Sequence, residues 1–246
     1  MSQPSHGETA PLDLRERGAQ RDGQPQLLDR RLFMQLLVFS CPGNPAECTA
    51  VLGRALATAG IGAVIYEDLN DPFGVGVLTF SDEPLDFVNK VRPALAAPEL
   101  RGITLRPEFT MLGRSYSSGF EPDLEHWILE RPRETVLNEA WPWAIWYPLR
   151  RSGAFARLEP REQGGILREH GTIGKTYAGA DLAHDVRLAC HGLDAHDNEF
   201  VIGLIGKTLH PLSHIVQTMR ATRQTSEFIS QMGPFFVGRA VFRNAG

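Results

Sequence analysis

Residues 76–88, GVLTFSDEPLDFV, are echoed by residues 203–216, GLIGKTLHPLSHIV. In both stretches a short apolar run passes through polar residues into a segment that begins near a proline and has helical spacing of its apolar residues. An internal echo of this kind indicates that one structural unit occurs twice in the chain.

Outward from the first copy, apolar runs alternate with segments of helical spacing, which predicts the order β-α-β-β-α-β of a ferredoxin-like unit. The predicted elements are strand Leu32–Ser40, helix Ala46–Thr58, strands Gly62–Glu67 and Gly74–Phe80, helix Pro84–Leu95 and strand Ile103–Arg114.

The second copy repeats this order. Its predicted elements are strand Trp143–Tyr147, ended by Pro148, helix Glu162–Tyr177, strands Asp185–Cys190 and Glu199–Gly206, helix Pro211–Met219 and strand Phe235–Phe242. Each four-stranded sheet must bury an apolar face, so we expect an α+β chain with its two sheets packed face to face.

The chain therefore divides into four parts. Residues 1–28 are polar, rich in Gly, Pro and Gln, and without periodicity, which predicts a disordered tail. Residues 31–116 and 140–246 hold the two repeats. The connecting segment 117–139 contains a short amphipathic helix with Leu124, Trp127 and Ile128 on one face.

Composition and net charge exclude several classes of function. The 246 residues carry a net charge of -4, which excludes broad binding to nucleic acid or to anionic membranes. The three cysteines form no CxxC pair, which predicts no disulfide framework and a reducing compartment. No secretory signal and no apolar run of membrane-spanning length is present, so we expect a cytoplasmic protein that does not enter membranes.

An aromatic stretch, Trp141–Arg151, is the first candidate for chemistry. On a strand, Trp141, Trp143, Ile145 and Tyr147 would share one side, and Trp146 would face the other. The stretch is either an aromatic core strand with a solvated basic end or the wall of a pocket. In a pocket, a phenol beside guanidinium groups could donate a proton or an electron, or hold an anion.

His170 is the second candidate. Helical spacing places Ile166, Leu167, His170, Ile173 and Tyr177 on one face. The imidazole is either a hydrogen-bonded core histidine or an axial ligand of haem iron.

Two further stretches carry polar groups. Cys190–Asp197 contains metal-ligand residue types but only one cysteine, and a turn between strands explains it more simply than a zinc site. Arg220–Glu227, which contains Thr222, Thr225 and Ser226, is either a polar helix exit or a set of donors to a carboxylate or phosphate.

Four motifs in order carry a resemblance to a known family. WAIWYPLRR at 143–151, EHGTIGKTYAG at 169–179, GLD at 192–194 followed by Glu199-Phe200, and GPFFVG at 233–238 resemble the chlorite dismutase-like haem proteins. Within that superfamily they are most similar to the coproheme decarboxylases, the peroxide-dependent haem b synthases. The resemblance covers residues 31–246, is most specific in the second half, and implies the dimeric α+β barrel type of fold.

The resemblance also implies roles for individual residues. His170 matches the proximal iron ligand, and Tyr147 matches the tyrosine whose radical attacks the propionates. Arg133, Arg151, and Thr225 or Ser226 match propionate-binding positions, although decarboxylases commonly carry Lys where Arg151 stands. Ala183 stands where chlorite-degrading members have a distal Arg and some decarboxylases a Gln, which disfavours chlorite chemistry.

The implied activity is the hydrogen peroxide-dependent decarboxylation of two propionates of Fe-coproporphyrin III, or coproheme, to give haem b. The iron porphyrin is then both substrate and redox centre. A homopentamer and transient contact with coproporphyrin ferrochelatase are implied as well. The alternatives are a chlorite dismutase or haem peroxidase, and a haem carrier or sensor without turnover.

Overall fold

Two ferredoxin-like repeats build the protein, as predicted. The structure is a computed structural model that describes residues 12–246. The first repeat comprises β3 (Phe33–Ser40), α1 (Pro45–Thr58), β4 (Gly62–Asp68), β5 (Gly74–Ser81), a π-helical turn at Phe87–Val91 that continues into α2 (Arg92–Leu95), and β7 (Met111–Arg114). The two-residue strand β6 (Thr104–Leu105) pairs with β3.

The second repeat has the same order. It comprises β8 (Trp143–Arg151), the short helix α4 (Gly153–Ala156), α5 (Pro160–Gly179), β9 (His184–Ala189), β10 (Phe200–Gly206), α6 (Leu209–Arg220) and β12 (Phe236–Asn244). A π-helical turn at Gln224–Phe228 and strand β11 (Ile229–Met232) lie between α6 and β12.

The two sheets join into one barrel. The strand order is β7-β3-β5-β4 in the first repeat and β12-β8-β10-β9 in the second, and pairs β4–β12 and β7–β9 connect their edges. The inward faces meet in one apolar core that contains Met34, Tyr66, Trp146 and Phe236. Side chains around α3 (Arg131–Leu137), among them Ile128 and Leu129, pack into the same core. None of the helices within residues 12–246 has the length and apolar character needed to cross a bilayer.

The prediction of a disordered tail is wrong for residues 16–28. Strands β1 (Glu16–Arg21) and β2 (Gln24–Leu28) form a hairpin whose turn, Asp22-Gly23, has positive φ at both residues, as a tight hairpin turn requires. Ala19 N–H donates to the Glu121 carbonyl (2.9 Å), which docks the hairpin on the connecting segment. Hydrophobic patterning misses it because most of its side chains are exposed. Residues 1–11 lie outside the described residues.

Two strand boundaries also differ from prediction. The expected strand Ile103–Arg114 is broken by a 3-10 turn at Pro107–Phe109. The expected strand Trp143–Tyr147 instead runs through Pro148 to Arg151. Pro148 is tolerated because its backbone faces the gap between β12 and β11, where its carbonyl accepts from Gly233 N–H (2.9 Å) and no N–H is needed.

The prediction of no disulfide framework did not anticipate one disulfide. Cys41, after β3, is bonded to Cys48 in the first turns of α1, and Asn44 caps that helix between them. Reversal of the chain around this cap brings two scattered cysteines together, which spacing alone does not indicate. Cys190 is free and buried. The cysteines therefore give no support to a reducing compartment, and the cytoplasmic location stays a prediction.

Candidate functional site

An apolar layer between the second repeat's sheet and its helices α5 and α6 forms the candidate site. The outward side chains of β8, β10 and β12 make its floor, and α5 and α6 cover it. Unlike the barrel interior, this layer has many members that are only partly buried, including Trp143, Ile173, Ile202, Met219 and Phe235. Two of the predicted site residues, His170 and Tyr147, belong to its roof and floor.

Strand β8 places its aromatic side chains on both faces. Ile145 and Tyr147 belong to the apolar layer and Trp143 packs against it, whereas Trp146 is fully buried in the barrel, as predicted. The prediction for Trp141 is wrong. It precedes β8, packs against the barrel core, and stacks on His184 with ring centroids 3.6 Å apart.

Tyr147 is almost fully buried by the residues around it, since only 6% of its surface is exposed. Its ring stacks on Phe235 with centroids 4.6 Å apart. Burial raises the pKa of the Tyr147 phenol, and the negative charge of Asp185 raises it further. The phenol therefore stays protonated and can act as a donor of a hydrogen atom or a proton.

His170 lies on α5, and its surroundings fix its protonation. Burial lowers the pKa of the imidazole, and the positive charge of Arg187 adds to this effect, so the ring is neutral. Its Nδ1 lies 3.4 Å from Thr222 Oγ1, whose own proton is directed at the Met219 carbonyl (2.7 Å). Thr222 therefore accepts from Nδ1–H, which leaves the lone pair on Nε2 available to a metal.

The rest of α5 is only partly as predicted. Ile173 and Tyr177 pack against the apolar layer, and Ile166 is buried against Phe155 and Phe228. Leu167 is 44% exposed and so does not share the buried face. Next to His170 the surface of α5 has open space over Gly174, because a Cβ added there would have only the Met219 methyl nearby, at 4.0 Å.

These features fit a flat apolar ligand bound through a metal. The helix surface one turn from His170 lacks a side chain, the layer beneath it is incompletely buried, and the imidazole offers a neutral nitrogen donor. A haem iron takes such a ligand, and a porphyrin ring needs such an apolar slot. The residues present therefore fit haem.

A charged cluster of Asp185, Arg131 and Arg187 lies at the β9 edge of the floor. Asp185 binds Arg131 through a side-chain contact of 2.7 Å and binds Arg187 at 2.9 Å. Although burial opposes ionisation, Arg187 and Arg131 hold the pKa of Asp185 below its usual value. Ala183, two residues earlier on the same side, is buried in the apolar layer.

Three of the four predicted propionate-binding positions lie near the end of β8, because Ile229, just after Thr225 and Ser226, pairs with Arg151, whereas Arg133 lies apart from them. Arg151 pairs with Glu199 and stacks on Phe155 and Phe200 (4.5 and 4.8 Å) at the end of β8. Thr225 and Ser226 follow α6 in the π-helical turn beside Thr222, and Ser226 Oγ donates to the Thr222 carbonyl (2.9 Å).

Arg133 lies on α3 and turns to the first repeat, where it binds Asp82 (3.1 Å). No contact among the described residues joins it to His170 or Tyr147.

The stretch Cys190–Asp197 is a turn. Asp194 Oδ1 accepts from the backbone of His196 (2.8 Å) and from the side chain of Asn198 (3.0 Å), and Cys190 packs in the barrel core. Within residues 12–246 there is no cluster of three or more His, Cys, Asp or Glu side chains arranged to hold a metal ion.

The sequence patterns do not indicate the roles of three polar groups of the site. Thr222 is predicted only as a possible donor to a carboxylate or phosphate and not as the partner of His170, and no motif singles out Asp185 or Tyr116, which lies half-buried near Arg187 and Phe200. Alternation along β9 carries a signal for Asp185, because Ala183 and Asp185 must share a side of the strand. Nothing in the local sequence signals the approach of Thr222 to His170.

Comparison with known proteins shows which family of sequences this chain resembles. The sequence profile of the chlorite dismutase family matches residues 77–241, well over half of the chain. No curated protein sequence matches.

Solved structures show the same fold. A protein from Thermus thermophilus described as a novel heme-binding protein has a TM-score of 0.66 and 20% identity, over 87% of this chain and 91% of that chain. A mutant of chlorite dismutase from Candidatus Nitrospira defluvii has a TM-score of 0.67 and 13% identity, over 87% of this chain and 92% of that chain.

Proposed function

The chain belongs to the chlorite dismutase family, and from that premise we propose that it binds an iron porphyrin between α5 and the floor of the apolar layer. We propose further that it decarboxylates coproheme to haem b at the expense of hydrogen peroxide. The observation that carries this activity is that a buried tyrosine, Tyr147, lies in the floor of the same apolar layer that α5, the helix that holds His170, helps to cover.

Each residue would have a defined task. His170 would coordinate the iron through Nε2 while Thr222 holds its Nδ1–H. Tyr147, kept protonated by burial, would give up its hydrogen atom, and the tyrosyl radical would remove hydrogen from the propionate β-carbon. When bound, the iron porphyrin supplies the oxidising power of peroxide. For each propionate, one peroxide and one proton are consumed, and a vinyl group, CO2 and two waters are formed.

The propionates need cations or hydroxyl donors. Arg151, at the end of β8, and Thr225 and Ser226, in the turn before the β11 residue that pairs with Arg151, would bind them, with Arg151 leaving Glu199 in part. Arg133 would need to leave Asp82 to take part. We also propose that the chain acts as a homopentamer in the cytoplasm, in transient contact with the ferrochelatase that supplies coproheme; sedimentation of the pure protein tests the pentamer.

A second candidate, chlorite dismutation, is favoured by one observation. Strand register places Arg187 in the row of Ile202 and Tyr147, so a guanidinium, paired with Asp185, lies on the floor of the pocket, where an anion would bind. Ala183 argues the other way, because it offers no charge at the position expected for a distal Arg.

Mass spectrometry of porphyrin products tests the proposal. The full chain loaded with coproheme and then given peroxide should yield haem b, with the loss of two CO2 per porphyrin. Tyr147→Phe should bind coproheme but give no product, whereas Tyr66→Phe, which alters a buried tyrosine inside the barrel, should retain turnover. An unchanged porphyrin together with oxygen release from chlorite would replace this proposal with the second candidate. An unchanged porphyrin and no chlorite turnover would leave a carrier or sensor.

A further inference from the structure

The sheet register brings Arg187 into the row of side chains that contains Tyr147, and Asp185 into the neighbouring row that contains Ile145. Ile202 of β10 pairs with Tyr147 on one side and with Arg187 on the other, and Leu204 pairs in the same way with Ile145 and Asp185. Residues directly opposite one another share a face, so all of these side chains face the helical layer, in which α5 packs over β9 and α6 packs over β8 and β10. Two strand spacings separate Tyr147 from Arg187, which is about 10 Å.

Asp185 is held in place from two elements. From α3, Arg131 contacts both the Asp185 side chain (2.7 Å) and its backbone carbonyl (3.0 Å) and stacks on Trp127. From the same strand, Arg187 Nε contacts the second carboxylate oxygen at 2.9 Å. Both oxygens are thus engaged, so the carboxylate has a fixed position and a fixed charge.

The charges of this cluster shift the pKa values of His170 and Tyr147. Arg187 lowers the pKa of His170 and Asp185 raises it, while Asp185 also raises the pKa of Tyr147. The groups of the site therefore sense both charges, and the carboxylate offsets one of the two guanidinium groups. Tyr116 and Glu199 face the same region from the loop after β7 and from the start of β10.

We propose that Asp185 is a specificity-determining residue that neutralises Arg187 and so makes the floor of the pocket favour uncharged peroxide over anionic oxidants such as chlorite. This rests on the iron-porphyrin part of the proposed function, and not on decarboxylation. Removing the carboxylate charge would leave the cations Arg131 and Arg187 unopposed at the floor of the pocket, and an anion bound there would gain from them in a site shielded from water.

Small-ligand affinity of the haem-loaded, resting protein tests the proposal without turnover. At about pH 8, azide is anionic and imidazole is mostly neutral, and both can be followed by the absorption of the iron porphyrin. Asp185→Asn, which keeps the shape, should raise azide affinity about tenfold and change imidazole affinity less than twofold.

A double-mutant cycle separates charge from shape. Arg187→Gln should lower azide affinity about tenfold, and the double variant Asp185→Asn with Arg187→Gln should return to within about threefold of the unaltered protein. The matched control, Asp71→Asn, removes a carboxylate that is paired with Arg106 in the first repeat and should change neither affinity.

The outcomes separate the two proposals. If the affinities follow these signs but coproheme is not decarboxylated, the proposed activity fails and the inference stands. If Asp185→Asn binds azide as the unaltered protein does, or gains imidazole affinity equally, the inference is overturned even where decarboxylation occurs. Should the full chain bind no iron porphyrin, both fail. A circular dichroism spectrum identical to that of the unaltered chain establishes that each variant is folded.

Discussion

The outward faces of the two repeats share one topology but differ in how completely they are filled. In the first repeat, α1 packs Leu52 and Leu56 against Ile65, Val75 and Val77, all of them fully or almost fully buried. In the second, the longer helix α5 buries only Ile166, and the apolar layer has seven buried and eleven partly buried side chains, whereas the layer of the first repeat has eleven buried and nine partly buried.

The difference in polar content is as large. The filled face of the first repeat has a core of apolar residues and the Cys41–Cys48 bond at its edge. The second face holds a neutral imidazole, a protonated phenol and the Asp185 cluster. Duplication of a unit allows one copy to supply packing free energy while the other loses packing and gains a binding slot.

The largest expected effect is on stability. Leu56→Ala in the filled face should lower the free energy of unfolding by about 3 kcal/mol, because it leaves a cavity in a closely packed core. Ile173→Ala in the partly buried layer should cost about 1 kcal/mol, since little packing is lost there. Urea denaturation of both variants measures this, and equal costs would contradict the contrast between the faces.

Ligand binding should stabilise the second repeat's helical layer more than that of the first repeat. An iron porphyrin at about a hundred times its Kd stabilises the folded state by about 2.7 kcal/mol. Hydrogen exchange should then slow most in α5, α6 and β9, where the layer is open, and least in α1. Uniform protection of both helical layers, or protection confined to α1, would show that the porphyrin does not bind beneath His170.

Sequence patterning predicts the parts of the molecule that depend on local spacing. The two β-α-β-β-α-β units follow from runs such as Leu32–Ser40 and Gly74–Phe80, whose periodicity is visible within one element. His170 and Tyr147 are predicted because each lies in one of the motifs that carry the family resemblance.

What the sequence did not predict depends on long-range geometry. The β1–β2 hairpin is held by bonds from Ala19 N–H and the Gln26 side chain to the Glu121 carbonyl. The strand continues through Pro148 because β12 and β11 leave a gap beside it, and the disulfide forms because the chain turns before α1. Asp185 joins the site through strand register, and Thr222 joins it through the path of the chain after α6. None of these contacts leaves a periodic signal, because the partners are distant in sequence.

Loss of the contact between Thr222 and His170 should have a moderate effect on haem affinity. Thr222→Val keeps the buried shape but removes the acceptor for Nδ1–H, so haem affinity should fall about tenfold, as is usual when the hydrogen-bond partner of a metal-bound histidine is lost. Thr218→Val is the matched control, because Thr218 bonds Tyr177 and the His214 carbonyl instead. A fall of equal size in both variants would assign the effect to helix packing.

The smallest effect concerns the pH dependence of the ligand-free protein. Burial lowers the pKa of His170 in the folded state, whereas the unfolded chain keeps the ordinary value of about 6.5. As the pH falls through that value the unfolded state takes up a proton that the folded state refuses, so His170 destabilises the fold progressively until its own, lower pKa is reached. His170→Gln should therefore be less sensitive to acid than the unaltered chain between about pH 7 and pH 5. His126→Gln, which alters an exposed histidine on the connecting segment, should show the unaltered slope in urea denaturation at the same pH values. If His170→Gln shows the slope of the unaltered chain too, the imidazole is not buried in the neutral form. Water then reaches the apolar layer of the second repeat more than its side chains indicate.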